Sequence, residues 1–230
     1  MFNLKRGLVM IELKTYNYEE LAEILHTKNN QGIKRKLMNY EVIYNYTGSG
    51  KNIEFHIQQI QNPFKLFCIL ELDIPAQSDF RLLRNFFFYF FGDEDFSKLP
   101  MNEMEVRMRA DNRHISRQTI AKWIEYLRER NFLLLDDFEC IYYRSAYING
   151  IHELEEIPKE TYKKAWAQYW KMRDRGFSAS AAFATMYETL GGKPVKVKIP
   201  QFNGIYMDTV NTLFQLASDS IEQEIANNEE

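Results

Sequence analysis

Between residues 112 and 144 the spacing of apolar positions changes from a helical period to a continuous apolar run. Four apolar residues recur at intervals of three and four, so a helix over this stretch would bury one face. They are Ile120, Trp123, Ile124 and Leu127. Ser116 precedes them, and its hydroxyl can cap the helix by accepting a bond from a free N–H. Residues 133–143 predict a two-stranded hairpin after the helix.

A shorter version of this order occupies residues 11–60. The pattern predicts a short strand at 11–14, a helix at 18–26 and a second helix at 31–40 that begins after an Asn29-Asn30 turn and cap. Two alternating runs then flank a glycine-rich turn, which predicts a hairpin at 42–58.

The rest of the chain is predicted to be mostly helical. Asn62-Pro63 begins a helix over 64–72, because proline is favoured at the first helical position. Asp79 caps a helix over 80–91, and a further helix covers 101–110. Three more helices are predicted at 159–175, 179–190 (capped by Ser178) and 205–225, with an exposed basic strand or arm at 191–200.

These patterns predict an α+β fold that is mainly α. It would contain two helix-turn-helix units with β-hairpin wings, followed by a C-terminal helical region. The predicted segments are a small winged unit at 11–60, a linker helix at 61–78, a winged-helix domain at 79–150 and a helical domain at 151–230. Residues 1–10 are a translated leader if the native start is Met10, and part of the protein if it is Met1.

Charge is unevenly distributed along the 230 residues. The formal net charge of -3 argues against a protein that coats DNA indiscriminately, because non-specific affinity depends on many basic phosphate contacts. Local basic clusters are present nonetheless, and they fit a site-specific binder. The predicted DNA contacts are Lys34, Arg35, Lys51, Arg113, Ser116, Arg117, Gln118 and Lys122, with a second contact at Lys193, Lys196 and Lys198.

The order of helix, turn, polar-faced helix and hairpin resembles the winged helix-turn-helix DNA-binding proteins of phages and other bacterial mobile elements. Residues 11–60 resemble the compact excisionase or MerR-type variety. The resemblance implies that Arg117, Gln118 and Lys122 face double-stranded DNA, since such side chains reach phosphates and base edges from the major groove.

Two interpretations of function follow from these residues. In the first, the protein is a sequence-specific DNA-binding transcription regulator or replication initiator of a bacterial phage or mobile element. The alternative is a phage-encoded inhibitor that uses helix-turn-helix surfaces on a host protein. In both, the chain is expected in the cytoplasm, away from the membrane, with the C-terminal helices forming a homodimer or binding a partner.

Other chemistry has little support in the sequence. Gly48-Ser49-Gly50-Lys51 resembles a phosphate loop, but Asn52 replaces the Ser or Thr that would hold magnesium, and the turn joins two strands. The histidines and acids show no metal-ligand spacing, so we expect no metal, no cofactor and no enzyme activity. Cys68 and Cys140 are expected to be free thiols. The aromatic stripe at Tyr162, Trp166, Tyr169 and Trp170 is more typical of a core than of a base-stacking surface.

Overall fold

The structure is a computed structural model, and it describes residues 11–110, 115–148 and 151–229. The α-helices are α1 (Tyr18–Ile24), α2 (Asn30–Asn39), α3 (Pro63–Leu72), α4 (Phe80–Gly92), α5 (Glu94–Ser97), α6 (Met101–Ala110), α7 (Arg117–Glu129), α8 (Lys159–Asp174), α9 (Ala179–Leu190) and α10 (Met207–Glu229). The strands are β1 (Thr15–Asn17), β2 (Val42–Thr47), β3 (Glu54–Ile60), β4 (Leu133–Ile148), β5 (Ile151–Glu156) and β6 (Lys193–Phe202).

The fold is α+β and mainly α, with 59% of residues in helices and 21% in strands, as the sequence predicts. Most predicted helices lie within two or three residues of their observed bounds. Several helix starts were predicted correctly because their capping side chains accept a bond from a backbone N–H of the first turn. These capping residues are Asn29, Asn62, Asp79 and Ser178. The predicted leader, residues 1–10, lies outside the described residues.

The chain divides into two compact units, each built from separate segments. Of the described residues, unit 1 contains 11–93, 118–132 and 202–229, and unit 2 contains 94–110, 115–117, 133–148 and 151–201. The division therefore differs from the consecutive segments expected from the sequence. It passes through the first turn of α7, between Arg117 and Gln118.

The first sheet belongs to unit 1 and has the strand order β1-β3-β2. β3 pairs antiparallel with both neighbours, so β2 and β3 form the hairpin predicted at 42–58. Phe55 in β3 is fully buried, and it lies in register with Tyr16 of β1 and Tyr46 of β2. The predicted first strand is displaced, because β1 covers 15–17 instead of 11–14.

Helices form the aromatic core of unit 1. Phe86 and Phe87 of α4 are fully buried, and the Phe86 ring centroid lies 5.4 Å from that of Trp123 in α7. α10 also packs against α4, where Phe214 stacks on Phe88 at 5.7 Å. The predicted helix 205–225 therefore contributes to the core formed by α3 and α4, because its apolar stripe is buried there.

The second sheet belongs to unit 2, and its strand order β5-β4-β6 corrects one prediction. The hairpin predicted within 133–143 is wrong, because residues 133–148 form the single strand β4. Its hairpin partner is β5, with Ile148 in register with Ile151. The intervening sequence is Asn-Gly, the pair most typical of two-residue hairpin connections, and this signal could have located the turn. The region 151–230, predicted as helical, thus also contains β5 and the expected basic strand β6.

Two neighbouring helices, α8 and α9, complete unit 2. Ala165 of α8 and Ala182 and Met186 of α9 are buried, and α8 also contacts β4. Most other positions of these helices are partly or fully exposed. Within the described part of the chain, no helix is both long and apolar enough to cross a bilayer.

Candidate nucleic-acid interface

The turn between α1 and α2 sets the orientation of α2. Asn29 Oδ1 accepts a 2.6 Å bond from the backbone N–H of Gly32, which satisfies one of the free donors at the helix start. The Lys36 ammonium donates a 2.5 Å bond to the carbonyl oxygen of Leu25, the residue that ends α1. A cation at this position is favourable because the carbonyl end of a helix carries partial negative charge. The Lys36 side chain therefore links α2 to the end of α1.

The outer side of α2 presents the predicted basic residues. Ile33 and Leu37 are fully buried beneath it, while Arg35 is exposed. Lys34 is half-buried, and its Nζ lies 3.4 Å from the ring centroid of Tyr46 in β2. This cation–π contact fixes the Lys34 ammonium against the hairpin.

A second contact joins α2 to the tip of the hairpin. Asn30 Nδ2 donates a 2.7 Å hydrogen bond to the carbonyl oxygen of Gly50. Lys51 follows Gly50 in a single 3-10 turn and is exposed. Lys34, Arg35 and Lys51 are thus carried by two elements that contact each other at two points. We call these three residues the α2–hairpin surface.

The charges of α1 and α2 also differ. α1 carries the acids Glu19, Glu20 and Glu23, whereas the charged residues of α2 are all bases. Tyr44 of β2 donates a 3.5 Å bond to the carbonyl oxygen of Lys34. Burial raises the pKa of Tyr44 above its ordinary value, and the nearby Lys34 charge opposes that rise. Positive charge is thus concentrated on α2 and the hairpin rather than on α1.

The faces of α7 agree with the sequence prediction. Ile120, Ile124 and Leu127 are buried, and Arg117, Gln118 and Lys122 are exposed. Ser116 is exposed directly before the helix, whereas Arg113 lies outside the described residues. That these residues contact DNA stays a prediction.

Two acidic features of α7 were not predicted. The Arg117 backbone N–H donates a 3.3 Å bond to Glu105 of α6, whose carboxylate also pairs with Arg109 at 2.9 Å. A carboxylate therefore already occupies the start of α7, where a phosphate would otherwise be favoured. Further along the helix Glu125 pairs with Arg128. The exposed side of α7 is consequently less basic than that of α2.

The third predicted basic cluster lies on β6. Lys193, Lys196 and Lys198 are exposed there, as expected for a basic strand at the surface. Pro194 is buried, and Val195 and Val197 are half-buried, so exposed basic positions alternate with more buried apolar ones along the strand. These lysines belong to unit 2, whereas the α2–hairpin surface belongs to unit 1.

Unit 2 also contains a polar chain that sequence reasoning missed. Ser145 Oγ lies 2.9 Å from His152 Nε2, and His152 Nδ1 lies 3.1 Å from Glu103 Oε1. A hydroxyl, an imidazole and a carboxylate in this order resemble the arrangement of a serine nucleophile with its base. Glu103 is far from the other two residues in sequence, and the pairing of β4 with β5 brings Ser145 near His152.

The surroundings of this chain favour a structural role. Ser145 lies in the central strand of its sheet, where backbone N–H groups are used in strand pairing instead of stabilising an oxyanion. A cavity of about 310 Å³ exists in unit 1 between α4 and α10, and its lining includes none of the three residues. The hydrogen bonds instead connect α6 to the β4–β5 hairpin.

Metal binding has no support in the described part of the chain, where no group of three or more His, Cys, Asp or Glu side chains could hold an ion. Comparison of the whole chain finds no matching family model, curated protein or solved structure.

Proposed function

We propose that this protein binds double-stranded DNA in a sequence-specific manner through the α2–hairpin surface. The observation that carries the proposal is the placement of Lys34 and Lys51 by contacts between α2 and the hairpin, with Arg35 exposed between them along the chain. The Lys34 ammonium, held by its cation–π contact, and the exposed Lys51, which follows the anchored Gly50, suit phosphate oxygens. An exposed arginine on a helix suits the guanine edge in the major groove.

The order of elements supports the same proposal. β1, α1, α2 and the β2–β3 hairpin follow one another as in the winged helix-turn-helix proteins that the sequence resembles. A helix of this size fits the major groove, and a flanking hairpin can reach the adjacent backbone. Lys122, Gln118 and Arg117 on α7 would supply a second contact, and the lysines of β6 a third.

The biological role follows from the resemblance. We propose a transcription regulator or replication initiator of a bacterial phage or mobile element, acting in the cytoplasm. α10 buries Val210, Leu213 and Ala217 in unit 1, so those residues are not available for a dimer. Dimerisation through the C-terminal helices would therefore use α8, α9 or the exposed side of α10.

A binding experiment tests the proposal. A preferred duplex is selected from a random library with the full-length protein, and its affinity is measured by fluorescence anisotropy at increasing salt. The slope of log affinity against log salt should fall by about 0.9 for each phosphate that the protein no longer neutralises. We expect the triple variant Lys34→Ala, Arg35→Ala, Lys51→Ala to weaken binding and to lower this slope.

A matched control removes the same charge elsewhere in unit 1. Lys14, Arg81 and Arg128 are exposed and lie outside the α2–hairpin surface. Their triple alanine variant should retain the wild-type slope if the surface is assigned correctly. No duplex binding at micromolar protein would reject the proposal and support the alternative, an inhibitor that binds a host protein. An unchanged slope in the Lys34, Arg35, Lys51 variant would place the DNA contact elsewhere.

The contribution of α7 is measured in the same assay. Changing Gln118 to Ala should cost about 1–3 kcal/mol in specific binding if its amide contacts a base edge. Changing Lys122 to Ala should instead lower affinity for all sequences, together with the salt slope. If both variants bind like the wild type, α7 is not part of the DNA interface.

A further inference from the structure

One face of α8 combines aromatic and basic residues. Successive residues of an α-helix are rotated by about 100°, so residues three, four, seven and eight apart share a side. On this rule six residues fall within an arc of about 100°, and aromatic and basic positions are interspersed among them. We call them the α8 face: Lys159, Tyr162, Lys163, Trp166, Trp170 and Arg173.

The rings of this face are anchored at one end and exposed at the other. Tyr162 contacts Tyr142 of β4 at 4.8 Å between ring centroids. Edge-to-face contacts continue along the helix from Tyr162 to Trp166 at 6.4 Å, then through Tyr169 to Trp170 at 5.4 Å and 5.0 Å. Trp170 is 58% exposed, and Phe177, just beyond the helix, is 49% exposed. This degree of exposure is not that of the core stripe expected from the sequence.

The charge of the helix favours an anionic ligand. α8 contains five bases and two acids, Glu160 and Asp174. Glu160 is paired with Lys163 at 3.1 Å, and Arg173 donates a 2.8 Å bond to the carbonyl oxygen of Phe177. That bond places the guanidinium near the exposed aromatic end of the face, while Lys159 is exposed at the other end.

We propose that the α8 face binds single-stranded DNA, with unpaired bases stacked on Trp170 and the phosphates paired with the flanking lysines and arginine. Proteins that bind single strands combine a basic track with aromatic rings, since every base offers a flat face for stacking. Aromatic residues and arginine are also common in protein–protein interfaces, but lysine is depleted there, and two lysines lie on this face. The choice of DNA over RNA rests on the proposed function.

The first test measures stacking directly. The full-length protein is titrated with an oligo-dT of about 15 nucleotides, close to the upper range of strand lengths that single domains bind. Trp123 is buried, so quenching of tryptophan fluorescence would report mainly on Trp166 and Trp170. Quenching with oligo-dT is expected, and its absence at micromolar protein overturns the proposal.

Substitutions at Trp170 separate stacking from simple apolar contact. Affinity for a labelled oligo-dT is measured by anisotropy, and Trp170→Ala should lower it by about fivefold or more. Trp170→Phe should retain most of the affinity, whereas Trp170→Leu, which is apolar but has no ring, should not. Equal binding by the Phe and Leu variants overturns the stacking arrangement. Tyr147→Ala is the matched control, because Tyr147 is an exposed aromatic residue of the same unit on β4.

Charge is tested on opposite sides of the same helix. The double variant Lys159→Gln, Lys163→Gln should weaken oligo-dT binding and reduce its salt slope by about 0.7 for each phosphate that is no longer neutralised. Lys164→Gln with Lys171→Gln makes the same charge change on another side of α8 and should have little effect. Equally weakened binding in the two double variants would indicate a general charge effect and overturn the assigned face.

Duplex binding by the α2–hairpin surface and single-strand binding by the α8 face are tested independently of each other. The Lys34, Arg35, Lys51 variant should retain oligo-dT binding, and the Trp170 variants should retain binding to the selected duplex. Loss of both ligands in either variant contradicts two independent sites. Tighter binding to oligo-U than to oligo-dT would overturn the commitment to DNA, and a concentration-dependent dimer that is absent in Trp170→Ala would assign the face to a second copy of the chain.

Discussion

At the first hairpin, the backbone around Gly48 leaves no room for a side chain. Its φ is +76°, a region that residues with a Cβ atom rarely adopt, and a Cβ there would clash with the backbone carbonyl oxygen of Asn52. The neighbouring Gly50 has a similar φ of +62°, but open space surrounds its missing side chain. Substitution of Gly50 would therefore cause backbone strain alone, whereas substitution of Gly48 would add a steric clash.

We expect Gly48→Ala to lower the free energy of unfolding by about 2–3 kcal/mol, and Gly50→Ala by about 1 kcal/mol. Only the first substitution adds a clash with fixed backbone to the conformational cost. Urea denaturation at constant pH measures both values. Equal destabilisation in the two variants would mean that the turn can rearrange to accept a methyl group at Gly48.

Cys68 links protonation to stability, because it is fully buried in α3 and burial raises the pKa of its thiol well above the ordinary value. The folded state therefore keeps the proton at a pH where the unfolded chain has released it. The stabilisation is complete below the unfolded pKa of about 8.5 and declines as pH rises from there towards the folded pKa. Unfolding free energy should thus fall from about pH 8.5 upward.

A comparison with Cys68→Ala isolates this group from the tyrosines and lysines that also titrate in alkali. The variant should be less stable at neutral pH, because it leaves a small cavity, but its stability should decline less between about pH 8 and 10. Urea midpoints at several pH values provide the measurement. Parallel pH curves for the two proteins would show that the Cys68 thiol does not contribute.

Among the secondary-structure elements, local signals predicted single helices well and strand partners poorly. α3, α4 and α9 follow from a capping residue and an apolar run that adjoin each other in the sequence. β4 instead pairs with β5 and β6, and β6 begins 45 residues after β4 ends. No local pattern identifies such a partner. The β2–β3 hairpin was predictable because its turn and both strands lie within 19 residues.

The same distinction applies to the candidate sites. The exposure of Arg35, Lys51 and Gln118 could be inferred from helical periodicity and turn composition. The contact of Lys34 with Tyr46, and the chain from Ser145 through His152 to Glu103, required elements to meet in space. The exposure of Trp170 on the α8 face could likewise not be predicted. Helical periodicity locates an apolar stripe but does not show whether another element covers it.

The Ser145 chain gives a prediction for the β4–β5 hairpin. If it is structural, Ser145 should not react with a fluorophosphonate probe that labels activated serines, because backbone N–H groups of its central strand are used in strand pairing. Ser145→Ala should lower stability by about 1–2 kcal/mol through loss of the bond to His152. Mass spectrometry of the treated protein reads out labelling. Labelling that disappears in Ser145→Ala and His152→Ala would instead indicate hydrolase chemistry and contradict the expectation that the protein is not an enzyme.

For the whole molecule, the two discontinuous units mean that distant parts of the chain fold together. α10 packs on α3 and α4, although more than a hundred residues separate them in sequence. Arg84 of α4 is buried and donates a 2.9 Å bond to the carbonyl oxygen of Ser220, and it also pairs with Glu224. The C-terminal helix is thus part of the unit that carries the α2–hairpin surface.

This organisation predicts which backbone amides become less protected from hydrogen exchange when the packing of α10 is weakened. Leu213 is 1% exposed in unit 1, so Leu213→Ala should cost about 2–5 kcal/mol. In hydrogen exchange measured by mass spectrometry, amides of α3 and α4 should exchange faster in this variant, while those of α8 and α9 should change less. Gln215→Ala, an exposed position on the same helix, is the control and should leave both sets unchanged. Equal deprotection of both units would show that the chain unfolds as one cooperative block, and unchanged α3 and α4 amides would mean that α10 is dispensable for unit 1.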